Sequence, residues 1–332
     1  MAFDAVLLLS FGGPEGPEEV MPFLHNVLRG RPVSPERLEQ VAGHYLDFGG
    51  VSPINAQNRA LRDALSAALV ERGTPLPVYW GNRNWKPFLV DAVRAMRDDG
   101  VARAAAFVTS AYSSYSGCRQ YLDDIDSARA EVGAGSPEIV KLRPFFNHPG
   151  FIGPLADGLR AARREAGPEA PILMTAHSIP SAAAATCSYE QELRETARLV
   201  ASRAGEGGSE WSLTYQSRSG PAAQPWLEPD INDALAALPD STPAAIVVPI
   251  GFVSDHMEVV YDLDRQATET AGNRGIKLIR SATPGTHADF VRMICQLIDE
   301  VDQPGSEALA LGGLGPAPCP CRPGCCPGPA RR

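Results

Sequence analysis

Eight apolar runs of strand length, set apart by helix-sized segments, constrain this chain more than any other feature of its sequence. They are Phe3 to Phe11, Pro77 to Asn82, Ala104 to Ala111, Ile139 to Pro144, Ile172 to His177, Trp211 to Gln216, Ala244 to Ile250 and Ile276 to Ser281. Among them lie stretches that fit helices, such as Asn58 to Leu69, Lys86 to Asp99, Cys118 to Glu131, Tyr189 to Ala204 and His287 to Val301. Alternation of this kind predicts parallel sheets with helices on both faces. Four runs precede residue 150 and four follow it. The expected architecture is α/β: two Rossmann-like domains of similar topology, each a four-stranded parallel sheet flanked by helices, facing a cleft. The expected spans are 1–148 and 149–303, with 304–332 a Gly-, Pro- and Cys-rich tail outside the sheets.

Composition narrows the function class. A chain of 332 residues accommodates two ordinary domains, and 44% hydrophobic with 21% charged residues is what a packed core requires. A net charge of -9 argues against a nucleic-acid binder, which needs a basic face, and suits a protein that handles cations. No apolar run reaches the roughly 18 residues of a membrane span. The chain opens directly on structure, without a signal core or an Arg-rich presequence, so a cytoplasmic location is expected.

The chemistry concentrates at two strand ends. Ile172-Leu173-Met174-Thr175-Ala176-His177-Ser178-Ile179-Pro180 reads as a buried strand that runs into a histidine and a turn. In an open α/β sheet, ligands bind outside the carboxyl ends of the strands. Downstream, the strand ending at Pro249-Ile250-Gly251 is followed by Asp255, His256, Glu258, Asp262 and Asp264. His177 offers a neutral nitrogen ligand or a proton acceptor near neutral pH, and Glu258 a carboxylate for the same work. Asp255 and Asp262, three residues before and four after Glu258, are expected on neighbouring helical faces, an acidic ridge along which a divalent cation sheds water. Taken singly, His177 is equally a structural histidine and the carboxylates a solvated first turn; two strand ends carrying the same kind of ligand favour a site. Ser10-Phe11-Gly12-Gly13-Pro14 lacks both the dinucleotide glycine fingerprint and the P-loop Gly-Lys-Ser/Thr. Arg29 and Arg31, with the loop Gly49 to Asn55, lie where a ligand's carboxylates could be held.

With these residues assembled, the chain resembles the ferrochelatase family, most closely its soluble coproporphyrin-type members from actinobacteria. The resemblance spans roughly residues 3 to 301. It rests on Leu9-Ser10-Phe11-Gly12-Gly13-Pro14, Phe48-Gly49-Gly50-Val51-Ser52-Pro53-Ile54-Asn55, Gly81-Asn82-Arg83-Asn84-Trp85, Ala176-His177-Ser178-Ile179-Pro180, Gln216-Ser217-Arg218-Ser219-Gly220-Pro221, Trp226-Leu227-Glu228-Pro229 and Pro249 to Glu258. It implies a metal chelatase (a lyase) of haem biosynthesis that inserts Fe²⁺ into coproporphyrin III, releasing two protons and giving coproheme. His177 and Glu258 match the family's metal-site pair. Ser52 and Tyr121 match positions that hold the porphyrin, and Arg29 and Arg31 match positions that face its propionates. Phe11 stands where many relatives carry a tyrosine beside the iron, so it is expected to line the slot without coordinating, as are Ile54, Trp226 and Phe252. Asp262 is assigned to the route of metal or proton. Whether His177 binds metal or accepts protons stays open. Protoporphyrin IX, another tetrapyrrole chelatase reaction, or non-catalytic carriage of porphyrin or metal are the competing readings. The implied partners are coproporphyrin III and Fe²⁺, with transient contacts to neighbouring pathway enzymes, and the chain is expected to act as a monomer.

Four of the seven cysteines, Cys319, Cys321, Cys325 and Cys326, crowd the tail. Disulfides are disfavoured in a cytosolic protein of this size, so metal or cluster chemistry is expected. Some relatives carry a [2Fe-2S] cluster on such an extension. The expected ligands are Cys319, Cys321, Cys326 and Cys187, with Cys118 and Cys325 as alternatives.

Overall fold

The computed structural model describes residues 2–29, 33–221, 223–303, 305–322 and 324–328. Two four-stranded sheets form its frame, and every strand pair in them is parallel. The first contains β1 (Ala5–Ser10), β2 (Val78–Asn82), β3 (Arg103–Val108) and β4 (Glu138–Lys141) in the order β2-β1-β3-β4. The second contains β5 (Ile172–His177), β6 (Trp211–Gln216), β7 (Ala244–Val248) and β8 (Lys277–Arg280) in the order β6-β5-β7-β8. All residues of β1 and β7 are buried. Strands covered on both faces must be apolar throughout, which is why they stood out as runs and not as alternating patterns.

Helices α1 (Pro17–Val27), α2 (Pro35–Leu46), α3 (Ile54–Glu71), α4 (Leu89–Asp98) and α5 (Gln120–Val132) accompany the first sheet. Helices α6 (Pro149–Ala166), α7 (Ser181–Ala184), α8 (Tyr189–Ala204), α9 (Ile231–Ala236), α10 (Met257–Val259), α11 (Thr268–Asn273) and α12 (Ala288–Asp302) accompany the second. Two wide, π-helical turns interrupt this regularity, at Tyr115–Arg119 and Val260–Ala267. Such turns are rare and recur at functional sites. One holds Cys118 and the other Asp262.

One core joins the halves. Phe107 on β3 stacks on Phe145 at 5.1 Å, and Phe145 meets Phe151 of α6 and Phe290 of α12 edge-on at 5.4 and 5.9 Å. Each ring is essentially buried, which stabilises by roughly 1.5–3 kcal/mol apiece, with the edge-to-face contacts adding to that. Polar ties complete the join at the cleft: the Tyr112 hydroxyl donates to the Ile250 carbonyl at 2.8 Å, and the Asp255 amide donates to Gln57 Oε1 at 2.9 Å.

The segment after α12 lies outside the sheets and is tied to the body. Leu311 and Asn147 exchange hydrogen bonds, and the Asn147 amide also donates to Gly315. Arg143, paired with Glu300 at 2.6 Å where both side chains are buried, reaches the Leu309 carbonyl as well. The side chains of Leu311 and Ala317 pack on the main core. The tail belongs to no sheet, yet polar clamps and apolar contact hold it to the body. Among the described residues no helix is long and apolar enough to cross a membrane.

Candidate active site

The strand orders place the site. In each sheet the first strand in sequence has its two successors on opposite sides, so the connections diverge at its carboxyl end and leave a crevice there. In the second sheet that crevice opens beyond β5 and β7. His177 is the last residue of β5, and the segment 249–258 follows β7 directly. Gly251 brings the two together. A Cβ at this position would sit 2.6 Å from the Ala176 Cβ, so only glycine lets the second strand's exit lie against the first.

His177 Nε2 stands 3.6 Å from Glu258 Oε2, and His256 Nδ1 approaches the same oxygen at 3.9 Å. The His177 side chain is 33% exposed and that of Glu258 48%, yet protein surrounds both: they form the floor of an open cleft. His177 Nδ1 donates to the Ser178 carbonyl, which can only accept, so the reactive lone pair of a neutral ring belongs to Nε2, on the Glu258 side. The Tyr189 hydroxyl holds the His177 carbonyl at 2.9 Å. Burial by itself would lower the imidazole, but the Glu258 carboxylate, the Ser178 carbonyl and Asp262 outweigh it and hold His177 up at about 9. Burial works against Glu258 too, and His177 and His256 overcome it and bring the carboxyl to about 2. At neutral pH the pair is therefore an imidazolium facing a carboxylate.

Asp262 completes the acidic line. Burial, with Glu258 adding to it, pushes its carboxyl up to about 6, against the hydrogen bonds from Ser217 and Gln216. Gln216 Nε2 donates to the Glu258 carbonyl at 3.1 Å and to Asp262 at 3.3 Å, and its own Oε1 accepts from Thr175. Gln216 is level with His177 across β5 and β6, which explains how it reaches both. Tyr45 of α2 is the opposite wall: burial, then the Glu258 and Asp262 carboxylates, push its phenol up. His44 stacks on Tyr261 at 3.8 Å and Asp47 pairs with Arg265, fastening α2 to the π-helical turn.

Not every expected residue joins this centre. Asp255 precedes the helix start at Met257, so it is off the ridge; Arg280 grips it with two bonds of 3.0 Å and Thr283 adds a third. Phe252 and Ile54 are buried, Phe252 in a core with Ile231, Val259 and Leu263. Phe11 is 37% exposed at the end of β1 and touches Phe23 edge-on. Ser52 is buried against Gly13, its amide donating to Pro14. Tyr121 is buried with the Arg83 guanidinium 4.5 Å above its ring. Arg29 lines a cavity of about 540 Å³ between α1 and α2, with Met21, His25, Leu28 and Leu38. Arg31 lies outside the described residues. Gln216, Ser217, Tyr45 and Tyr189 escaped the sequence reading; Gln216 and Ser217 stood in a quoted motif, whereas no pattern marks Tyr45.

A second convergence involves thiols. Cys118 Sγ and Cys321 Sγ are 3.8 Å apart. Their contact lowers the Cys321 thiol and raises that of Cys118. Burial, then Cys118, Cys325 and Cys187, push Cys326 up to about 12. Cys319 is exposed, with its sulfur directed at the Lys141 carbonyl. Beside these thiols Glu192 of α8 accepts the Ser113 amide at 2.6 Å, and burial pushes its carboxyl up to about 7. As the side chains stand, among the described residues no group of three or more His, Cys, Asp or Glu is arranged to hold a metal ion.

Two parallel sheets with a histidine–carboxylate pair on the floor of one switch-point crevice define a chelatase-type architecture. The solved sirohydrochlorin chelatase SirB of Bacillus subtilis subspecies spizizenii, in complex with cobalt, is similar in fold, with a TM-score of 0.52 over 93% of this chain and 99% of its own, at 10% identity. Within that class the chain belongs to the ferrochelatase family, whose model, described as Ferrochelatase, matches residues 3–301. The chain is 52% identical to a ferrochelatase of Rhodopirellula baltica over 98% of its length and 93% of the relative's. It is also 52% identical to a coproporphyrin III ferrochelatase of Mycobacteroides abscessus over 98% of both, and 50% identical to that of Mycolicibacterium smegmatis.

Proposed function

We propose that the chain inserts Fe²⁺ into coproporphyrin III, giving coproheme and two protons, within haem biosynthesis. The observation that carries this reading is the 3.6 Å approach of His177 and Glu258 at the floor of the cleft, in a chain about half identical to coproporphyrin III ferrochelatases. Insertion requires that two pyrrole protons leave as a dication arrives. The ionised Glu258 attracts the incoming cation, and Asp262, half ionised near pH 6, relays cation inward or proton outward. A dication at Glu258 repels the imidazolium proton to water past Asp262; neutral Nε2 then takes the first pyrrole proton, passes it out the same way, and takes the second, which restores the imidazolium, so that two protons reach water per Fe²⁺ inserted. One residue thus stores a proton at rest and accepts two in turn during turnover. Arg29 and Arg31 would meet the propionates, Ser52 and Tyr121 the macrocycle, and Phe11 would face it without an oxygen to offer the iron. All groups of the pair come from one chain, which supports action as a monomer. Seven unpaired cysteines suit a reducing compartment such as the cytoplasm.

The test is anaerobic mixing of protein, coproporphyrin III and Fe²⁺, followed in the Soret band. Wild type should metallate the porphyrin; His177→Ala should bind it and leave it metal-free. Binding without turnover by wild type would refute the enzymatic reading.

A [2Fe-2S] cluster remains part of the proposal, on Cys321 and Cys326 of the expected set with the alternatives Cys118 and Cys325. The Cys118 and Cys321 sulfurs are 3.8 Å apart, Cys325 acts on both Cys321 and Cys326, and Cys118 and Cys187 act on Cys326, whereas Cys319 faces a backbone carbonyl. Such a cluster would supply one-electron redox chemistry and pin the tail; the proton and metal transfers above do not involve it. Freshly purified protein should absorb in the visible and contain cluster iron, and Cys321→Ser should lose both.

A further inference from the structure

Ser217 follows β6 with φ of 61°, the left-handed region that side chains other than glycine rarely adopt. Among the described residues only Ser217 and Cys326 are non-glycine residues in this conformation. Sequence alone would favour glycine or asparagine here, and glycine would relieve the strain. The side chain that is present instead donates its hydroxyl to Asp262 Oδ2 on the π-helical turn. The preceding residue, Gln216, binds the same oxygen and also the Glu258 carbonyl. The two residues at the end of β6 therefore reach across to the acidic line, and only the left-handed turn aims the Ser217 hydroxyl at it.

We infer that Ser217 is a positioning residue for Fe²⁺ handling: its strained backbone is retained because the hydroxyl fixes the Asp262 carboxylate in register with Glu258. Strain kept at a site where an unstrained residue would fit is the pattern expected of a residue held for function. The inference rests on Fe²⁺ being a substrate, and it assigns Ser217 no contact with metal or porphyrin.

Three substitutions separate the backbone from the hydroxyl. Ser217→Gly removes both strain and hydroxyl, Ser217→Ala removes the hydroxyl alone, and Ser217→Thr keeps the hydroxyl while adding a branched, more strained side chain. The readouts are thermal midpoint and the affinity of the purified protein for Fe²⁺, measured anaerobically by calorimetry, alongside KM for Fe²⁺. Stability should follow the backbone, with glycine above alanine and serine above threonine. Fe²⁺ affinity should follow the hydroxyl: glycine and alanine weaker by about five-fold or more, threonine close to wild type. Affinity that tracks thermal midpoint would make Ser217 merely structural and overturn the inference, as would unchanged affinity in Ser217→Gly. Because binding is read directly, these outcomes stand whether or not wild type metallates coproporphyrin, so failure of the enzymatic reading is told apart from failure of this one.

Discussion

Replacing Glu258 by glutamine should change the charge of a different residue. In wild type the imidazole of His177 is held at about 9, chiefly by the carboxylate 3.6 Å from Nε2 working against burial. About half of that carboxylate is exposed, so water screens part of its field, but the midpoint stays raised well above the ordinary 6.5. Glu258→Gln keeps the shape but removes the charge, leaving burial dominant, and the His177 midpoint should fall to 6.5 or below. At pH 7.5 the ring then passes from mostly charged to about one-tenth charged. The measurement is an NMR titration of histidine Cε1 protons, with His177→Ala identifying the signal. Insertion should fall by roughly 10²–10⁴-fold even though the imidazole is now neutral, because the cation has lost its anchor and the ring the dication-driven loss of its proton. A His177 midpoint that does not move on Glu258→Gln would show the two groups apart in solution and refute the site as described here.

Two further outcomes follow from the same geometry. Glu192 has a folded value of about 7 against an ordinary 4.5, so its protonated form is the one the fold favours. Its contribution is full below 4.5 and is lost as pH rises through 7. Glu192→Gln, which can still accept the Ser113 amide, should therefore gain on wild type between those values and stay ahead above them by on the order of 1–3 kcal/mol in urea unfolding; a gap independent of pH would contradict the assignment. Gly251→Ala should cost about 1–3 kcal/mol and lower insertion at the same time, since relieving a 2.6 Å contact with Ala176 moves His177 away from the segment bearing Glu258. An alanine variant with full activity would show that this close approach does not set the pair.

How much was legible in the sequence follows from which forces act locally. Strands buried on both faces must be apolar along their whole length, so the runs containing β1, β5 and β7 could be seen in one dimension, and with them two parallel sheets. His177 was legible because it ends such a run, and Glu258 because it lies in the short segment leading from β7 into α10, on the side where an open sheet binds ligands. Asp255 misled because three-residue spacing implies a shared face only if one helix includes both residues, and the helix begins at Met257. Gly, Pro and Cys composition reports the tail's missing secondary structure and is silent on contacts, so its bonds to Asn147 and Arg143, far away in sequence, were not legible.

Sequence by itself determined the alternation of elements, the candidate residues that follow two strands and the family resemblance, since these depend on residue types and near neighbours. Only the tertiary structure decided the charge state of His177, the clamp of Gln216 and Ser217 on Asp262, and which thiols meet. Those depend on distances between residues dozens to hundreds of positions apart, and such distances exist only once the sheets have closed around the cleft.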